Sequence, residues 1–372
     1  AVASPGRGLE AMLGDRIDAG LLIVKHGHGF PLQRIKVREA AHPVPDAASV
    51  DAARALMRML EATAPDDLVF FLLTGGASSL LCAPADGISL EDKARATDLL
   101  LGSGADIREM NVVRKHLSAV KGGRLRARIG ARRVCTLAIS DVIGDDPQVI
   151  GSGPTVPDSS THHDALAVIE RYGLAGRMPA RVIDRLRRPA LLFHSAVAED
   201  SYRIVASNRA SLDACAQYAR SLGCDVTVLT SRMMGDTRDA AARFSSTLIE
   251  RATYPGNRPR VVLAGGETTL RVTGTGRGGR NQEFALRAGL ALDGVRNVAL
   301  LAAGTDGTDG PTDAAGGFAD SATVVRARVA GVNIHEHLAR NDAYPLLERI
   351  GDLFKTGPTH TNVMDLVIGL AW

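Results

Sequence analysis

The chain has 372 residues, 45% of them hydrophobic and 4% aromatic, with a formal charge of +3 from 44 basic and 41 acidic side chains. That length allows two well-buried cores, and a mean hydropathy of +0.02 is that of a soluble globular protein rather than a disordered one. The balanced charge and scarce aromatics argue against a nucleic-acid surface, and no apolar run approaches the roughly 18 residues of a membrane span.

Cys82, Cys135, Cys215 and Cys224 lack metal-finger spacing, and three of them sit in apolar or helical contexts where cysteine acts as a small hydrophobe. With no charged-then-apolar leader at the N-terminus, a reducing, cytoplasmic setting is expected.

In chain order, a Gly/Pro/Ser turn leads into a short helix, and Ala19 to Lys25 forms an apolar strand that should be flanked by strands on either side. The next segment, KHGHGF, is a polar loop at that strand's carboxyl end, either a ligand loop or a plain turn. Asp51 to Ala62 has helical periodicity, and Leu68 to Leu73 is a central strand that runs into TGGASS. Gly75, Gly76, Ser78 and Ser79 can offer N–H and hydroxyl groups to a phosphate, although no Walker ending follows; a tight βα turn is the alternative.

Leu90 to Ser103 is helical, and a basic helix then carries Arg114, Lys115, His116 and Lys121 up to Gly122 and Gly123. Such a run either holds anions or is a solvated face that complements the helix dipole. The strand Val134 to Ile139 ends in SDVIGDDPQVIGSGPT. There Asp141, Asp145 and Asp146 suit Mg²⁺, which takes one or two carboxylates with phosphate and water, and they also suit a turn.

Thr161 to Leu186 is helical, and the segment from 187 to 200 reads as an inter-domain connection. Strands are then expected at Tyr202–Val205, Val226–Leu229, Val261–Leu263, Leu270–Thr273, Val298–Leu301 and Leu366–Ile368, with helices at Ser211–Leu222, Asp236–Ala252 and Asn281–Leu292. This pattern makes both halves α/β, the second with a mixed sheet and an edge hairpin from Leu263 to Leu270. Between Thr273 and Asn281 runs GTGRGGR, whose glycines and two arginines suggest an anion site. Asp306, Asp309 and Asp313 come after Leu301 and look like a calcium loop, but the bidentate Glu is missing.

Gly274, Gly276 and Gly279 also satisfy G-x-G-x-x-G, the dinucleotide fingerprint, which would imply a nicotinamide-dependent reductase. The acid required about 20 residues further on is absent, since Asp293 comes early and Asp306 late.

Taken together, LLTGGASSLL, NVVRKHLSAVKGGRL, SDVIGDDPQVIGSGPTVPD, LAGGETTLRVTGTGRGGRNQEFAL, GTDGTDGPTDAAGG and TGPTHTNVMDL resemble the class II glycerate 2-kinases, whose C-terminal half is the MOFRL domain. The resemblance implies a Rossmann-like N-terminal domain over 1–197, a C-terminal α/β domain over 198–372 and an active site in the cleft between them. It implies ATP- and Mg²⁺-dependent phosphorylation of D-glycerate at the 2-hydroxyl, and it leaves room for a homodimer. On that template Arg280 stabilises the transferring phosphoryl group, and Asp306 orients or deprotonates the hydroxyl. Asp141 and Asp145 serve metal or hydroxyl, while Gly75, Gly76, Ser78, Ser79, Lys115, Lys121, Gly278 and Gly279 bind the nucleotide. Family members also carry the label hydroxypyruvate reductase. One departure concerns a Gly-Lys-Ala-Ser-like turn whose lysine acts at the phosphoryl group. Val2 stands where that lysine is expected, so either the lysine lies upstream or it is replaced, and replacement would leave a nucleotide binder without turnover.

Overall fold

The structure, a computed structural model, describes residues 3–188, 199–253 and 257–372. Val2, the boundary expected at 197–198 and most of the connection expected over 187–200 lie outside the described residues. The chain forms two compact units, one of Ala1–Ile139 with Asp145–Val205 and one of Ser140–Gly144 with Ala206–Trp372.

The first unit begins with α1 (Ala3–Leu13), β1 (Gly20–Lys25), β2 (Ile35–Ala40), α2 (Ala47–Glu61), β3 (Leu68–Leu73) and the single-turn α3 (Ala77–Leu80). It continues through α4 (Leu90–Leu101), α5 (Ile107–His116), β4 (Arg133–Ile139), α6 (His162–Arg171), α7 (Ala180–Arg187) and β5 (Ser201–Ala206). β1 pairs in parallel with β2, and β3, β4 and β5 form a second sheet in that order, with β3 and β4 parallel. The apolar character of β1 predicts strands on both sides of it; among the described residues it has one, β2. That strand escapes the sequence pattern because Lys36, Arg38 and Glu39 interrupt it, and half of it faces water.

Helices α4 to α7 close over a core that includes Leu100, Val113, Ile169 and Val182. The helix expected from Thr161 to Leu186 is two helices, parted where Gly173 turns with φ +63° and Pro179 caps α7. α2 starts four residues earlier than its periodicity suggests, because Asp46 and Ser49 form a reciprocal capping box. Asp46→Ala should therefore cost about 1 kcal/mol in urea unfolding. No measurable change would show that the box contributes nothing.

The second unit comprises α8 (Asn208–Ser221), β6 (Asp225–Met233), α9 (Thr237–Thr253), β7 (Arg260–Gly266), α10 (Arg280–Ala291), β8 (Val298–Gly304) and β9 (Gly316–Asp320). It ends with α11 (Thr323–Val329), α12 (Ile334–Ala339), α13 (Ala343–Ile350), β10 (Leu353–Phe354) and β11 (Asp365–Ala371). Six strands lie in the order β10-β9-β8-β11-β7-β6, and the sheet is mixed, with β6 and β7 parallel and the other neighbours antiparallel. Strand alternation divides the core. Val261 and Leu263 pack with α8 on one face, while Val262 and Ala264 pack with Phe244, Leu248 and Phe284 of α9 and α10 on the other.

The strand expected at Leu270–Thr273, and with it the hairpin, is absent. Thr269 makes one isolated bridge to Asp236, and the backbone beyond it is held by a side chain instead. Asn341 Oδ1 accepts from the N–H groups of Thr273 (2.8 Å) and Gly274 (3.0 Å), and its Nδ2 donates to Arg271 O at 3.3 Å. A buried asparagine thus takes the place of a partner strand.

The central strand β11 gathers the loops at one end of this sheet. Its first residue, Asp365, lies opposite Gly266 at the end of β7 and Gly304 at the end of β8. Loops that are far apart in sequence therefore meet at one carboxylate.

Candidate active site

In the second unit, α10 starts with Arg280, and its guanidinium is gripped from two sides. Nε and Nη2 donate to the two Asp365 oxygens at 2.6 and 3.0 Å, a bidentate fork, and Nη1 donates to Glu267 Oε1 at 2.8 Å. Burial alone would weaken the arginine's charge, but the bonds to Asp365 and the field of Glu267 hold it firmly protonated. The arginine side chain stays 32% exposed, so this is a fixed cation that a ligand can reach.

Asp309 lies beneath the same helix start. It accepts from the N–H groups of Asn281 (3.1 Å) and Gln282 (2.8 Å), and burial pushes its pKa up to about 6 against those bonds. Asp306 occupies the turn after β8: its Oδ1 accepts from Thr308 N at 3.0 Å, and the segment TGPTHT is tied to it by Thr359 N donating to Asp306 O. The three aspartates of the calcium-like loop serve different ends, because Asp313 accepts from Tyr344 Oη at 2.7 Å and pairs with Lys355 at 3.1 Å.

The glycine loop behaves differently from the sequence expectation. A Cβ on Gly274 would lie 2.2 Å from Arg340 O, one on Gly276 2.4 Å from Asp342 Cβ, and one on Gly279 2.3 Å from Asp309 Cγ. These glycines are present because the segment 340–342 and Asp309 press against them. The loop's N–H groups are largely spent inside the protein: Gly274 donates to Asn341, Gly276 to Arg340 O and Arg277 to Asp342. Arg277 itself stacks 4.0 Å over the Tyr344 ring. Among the described residues the N–H groups of Gly278 and Gly279 remain uncommitted, so these two keep the capacity to meet a ligand.

Asp141, just past β4 and part of this unit, is pushed up by burial and then by Glu267. Of its neighbours, Asp146 forms the turn, its Oδ1 accepting from Gln148 N at 2.9 Å, and Asp145 sits at φ +58°. Among the described residues no group of three or more His, Cys, Asp or Glu side chains could hold a metal by itself.

In the first unit, Gly76 turns with φ +80° into α3, and buried Ser79 bonds back to Gly76 O at 3.0 Å. Ser78 faces a different environment. Lys121, 1% exposed, donates to Ser78 O at 3.0 Å, to Ser78 Oγ and to Ser152 Oγ at 3.1 Å, and Arg114 Nη2 reaches Ser78 Oγ at 3.2 Å. Lys115 points elsewhere, into a buried ion pair with Asp158 at 3.1 Å. Beside it His116 stays neutral, lowered to about 4 by burial and then Arg124. The KHGHGF loop is a tied turn, since Glu39 accepts from Gly27 N and Gly29 N and His26 bonds Asp46 at 3.0 Å. The structure thus adds Glu267, Asp365, Ser152 and Lys93 to the residues singled out from sequence; only for Lys93, a lysine in step with apolar positions of α4, is a local signal present.

Residues 1–187 match the model described as a domain of unknown function (DUF4147), and residues 260–365 match that of the MOFRL family. A D-glycerate 2-kinase of Thermotoga maritima is 40% identical over 363 residues, covering 96% of this chain and 86% of the relative. The chain belongs to this glycerate 2-kinase family. A crystal structure of a glycerate kinase from Thermotoga maritima superposes with a TM-score of 0.91 at 40% identity, covering 98% of this chain and 87% of the other. A protein of Agrobacterium vitis with the provisional name hydroxypyruvate reductase is also 40% identical, over 98% of this chain and 96% of its own.

Proposed function

We propose that the protein transfers the γ-phosphoryl group of ATP to the 2-hydroxyl of D-glycerate. The observation that carries this reading is Arg280, fixed on Asp365 and Glu267 yet open to solvent, in a chain 40% identical to a D-glycerate 2-kinase. Phosphoryl transfer asks little covalent chemistry of a protein, so positioned charge does most of the catalysis. Arg280 would meet the transferring group, with its fork pre-set by the two acids. Asp306, with one oxygen held by Thr308 N, would use the other to orient the glycerate hydroxyl and draw off its proton. Gly278 and Gly279, with Gly75, Gly76, Ser78, Ser79 and Lys121 in the first unit, are the proposed nucleotide contacts; Lys115, expected among them, is held by Asp158 instead.

Mg²⁺ fits the donor set at Asp141. A half-buried carboxylate close enough to Glu267 to feel its charge supplies hard oxygen ligands, of the number Mg²⁺ takes when phosphates and water complete its shell. When bound there, the ion would neutralise phosphate charge. Asp145 is the second proposed ligand. A cytoplasmic setting is part of the same proposal; among the described residues the four cysteines are free and no helix is long and apolar enough to cross a membrane.

Two assays on one preparation separate the readings. With D-glycerate, ATP and Mg²⁺ the protein should release ADP, and with hydroxypyruvate it should leave NAD(P)H absorbance unchanged. ATP binding without ADP release, or hydroxypyruvate-dependent loss of NAD(P)H, would overturn the proposal.

A further inference from the structure

Lys93 lies on the buried face of α4, in step with Ala96, Leu99 and Leu100. A lysine there is costly unless an acid pairs with it. Its Nζ instead meets the thiol of fully buried Cys82, 3.3 Å away. Close by are Arg114 and Lys121, which spend their hydrogen bonds on Ser78 and Ser152. Among the described residues none of the three cations forms an ion pair, whereas neighbouring Lys115 has Asp158. The ionisable groups that act on the three most strongly are each other, Lys115 and the Cys82 thiol.

The arrangement is self-repelling. Burial, then Lys93 and Arg114, hold Lys121 well below the ordinary lysine range. Ser78 Oγ accepts from both Lys121 Nζ and Arg114 Nη2 and lies 3.3 Å from Ser152 Oγ, so the two serines tie the cations together without neutralising them. We infer that Lys93, Arg114 and Lys121 build a carboxylate-free site, beside Ser78 and Ser152, for a small oxyanion, a phosphate or carboxylate group. Bound there, the anion supplies the negative charge that the three cations lack. The choice of physiological ligand rests on the kinase reading, and anion binding itself does not.

The test uses the full chain and its Lys93→Met variant, with inorganic phosphate, ATP and D-glycerate each titrated separately by calorimetry in the absence of turnover. The variant should bind the docking anion about tenfold to a hundredfold more weakly, the range for a lost charge-assisted contact. It should also raise the thermal midpoint of the unliganded protein, because an unpaired buried charge is replaced by an apolar chain of similar length. Weakening confined to phosphate and ATP assigns the pocket to the nucleotide, and weakening confined to glycerate assigns it to the acid's carboxylate. Unchanged affinity for all three anions overturns the inference, whatever the midpoint does. If Lys93→Met does not fold, Arg114→Met carries the same affinity comparison. An inactive enzyme in which either variant still loses anion affinity would refute the kinase reading and leave the pocket standing.

Discussion

Arg280→Ala should lower kcat with D-glycerate and ATP by about 100- to 1000-fold while the KM for ATP changes less than about threefold. The asymmetry comes from the geometry. A guanidinium locked by two bonds to Asp365 and one to Glu267 cannot move far to reach a ground-state ligand, so its contribution is concentrated where charge develops. Arg280→Lys should recover little, because a single ammonium cannot span both Asp365 oxygens and Glu267 at once. Steady-state kinetics over both substrates decide the matter. Equal losses in kcat and in ATP affinity would show that Arg280 holds the fold or the ground state.

The second large effect concerns Asp309 and pH. Its carboxyl, ordinarily near 3.8, is raised to about 6 by burial, so the folded state holds a proton that the unfolded chain has released. At acid pH below both values this group carries no penalty. As pH rises from about 4 to about 6 the folded state must hold or ionise it at a cost, and stability falls by about 3 kcal/mol before levelling off. Asp309→Asn cannot ionise, so its unfolding free energy should lack this fall. Urea titrations of both proteins at pH 4 and pH 7 provide the comparison. An identical pH dependence in the two would show that Asp309 is not strained by its burial.

Much of the fold is legible in local pattern. β3 matches the expected Leu68–Leu73 residue for residue, and β4, β7, β8 and β11 differ only at their ends, since unbroken apolar runs between Gly or Asp stops have few other readings. Local rules fail where tertiary contacts replace them. Thr269 to Thr273 alternates like a strand, but Asn341, some seventy residues away, takes its hydrogen bonds. The three fingerprint glycines suggest a backbone bared for phosphate; their constraint comes from Arg340, Asp342 and Asp309 pressed against the loop. In the site, Arg280 and Asp306 are readable as residue types in polar loops. That Asp365 joins them is not, because the pairing of β11 between β7 and β8 is a fact of topology. Lys93 is easily missed because a lysine in a helix is normally solvated, and only its step with Ala96 and Leu100 hints otherwise.

The most direct test is the identity of the product. With D-glycerate, ATP and Mg²⁺, phosphorus NMR of the reaction mixture should show ADP together with 2-phosphoglycerate, its phosphorus coupled to the single proton on C2. A phosphorus coupled to the two C3 protons, or ATP left intact, would contradict phosphorylation at the 2-hydroxyl.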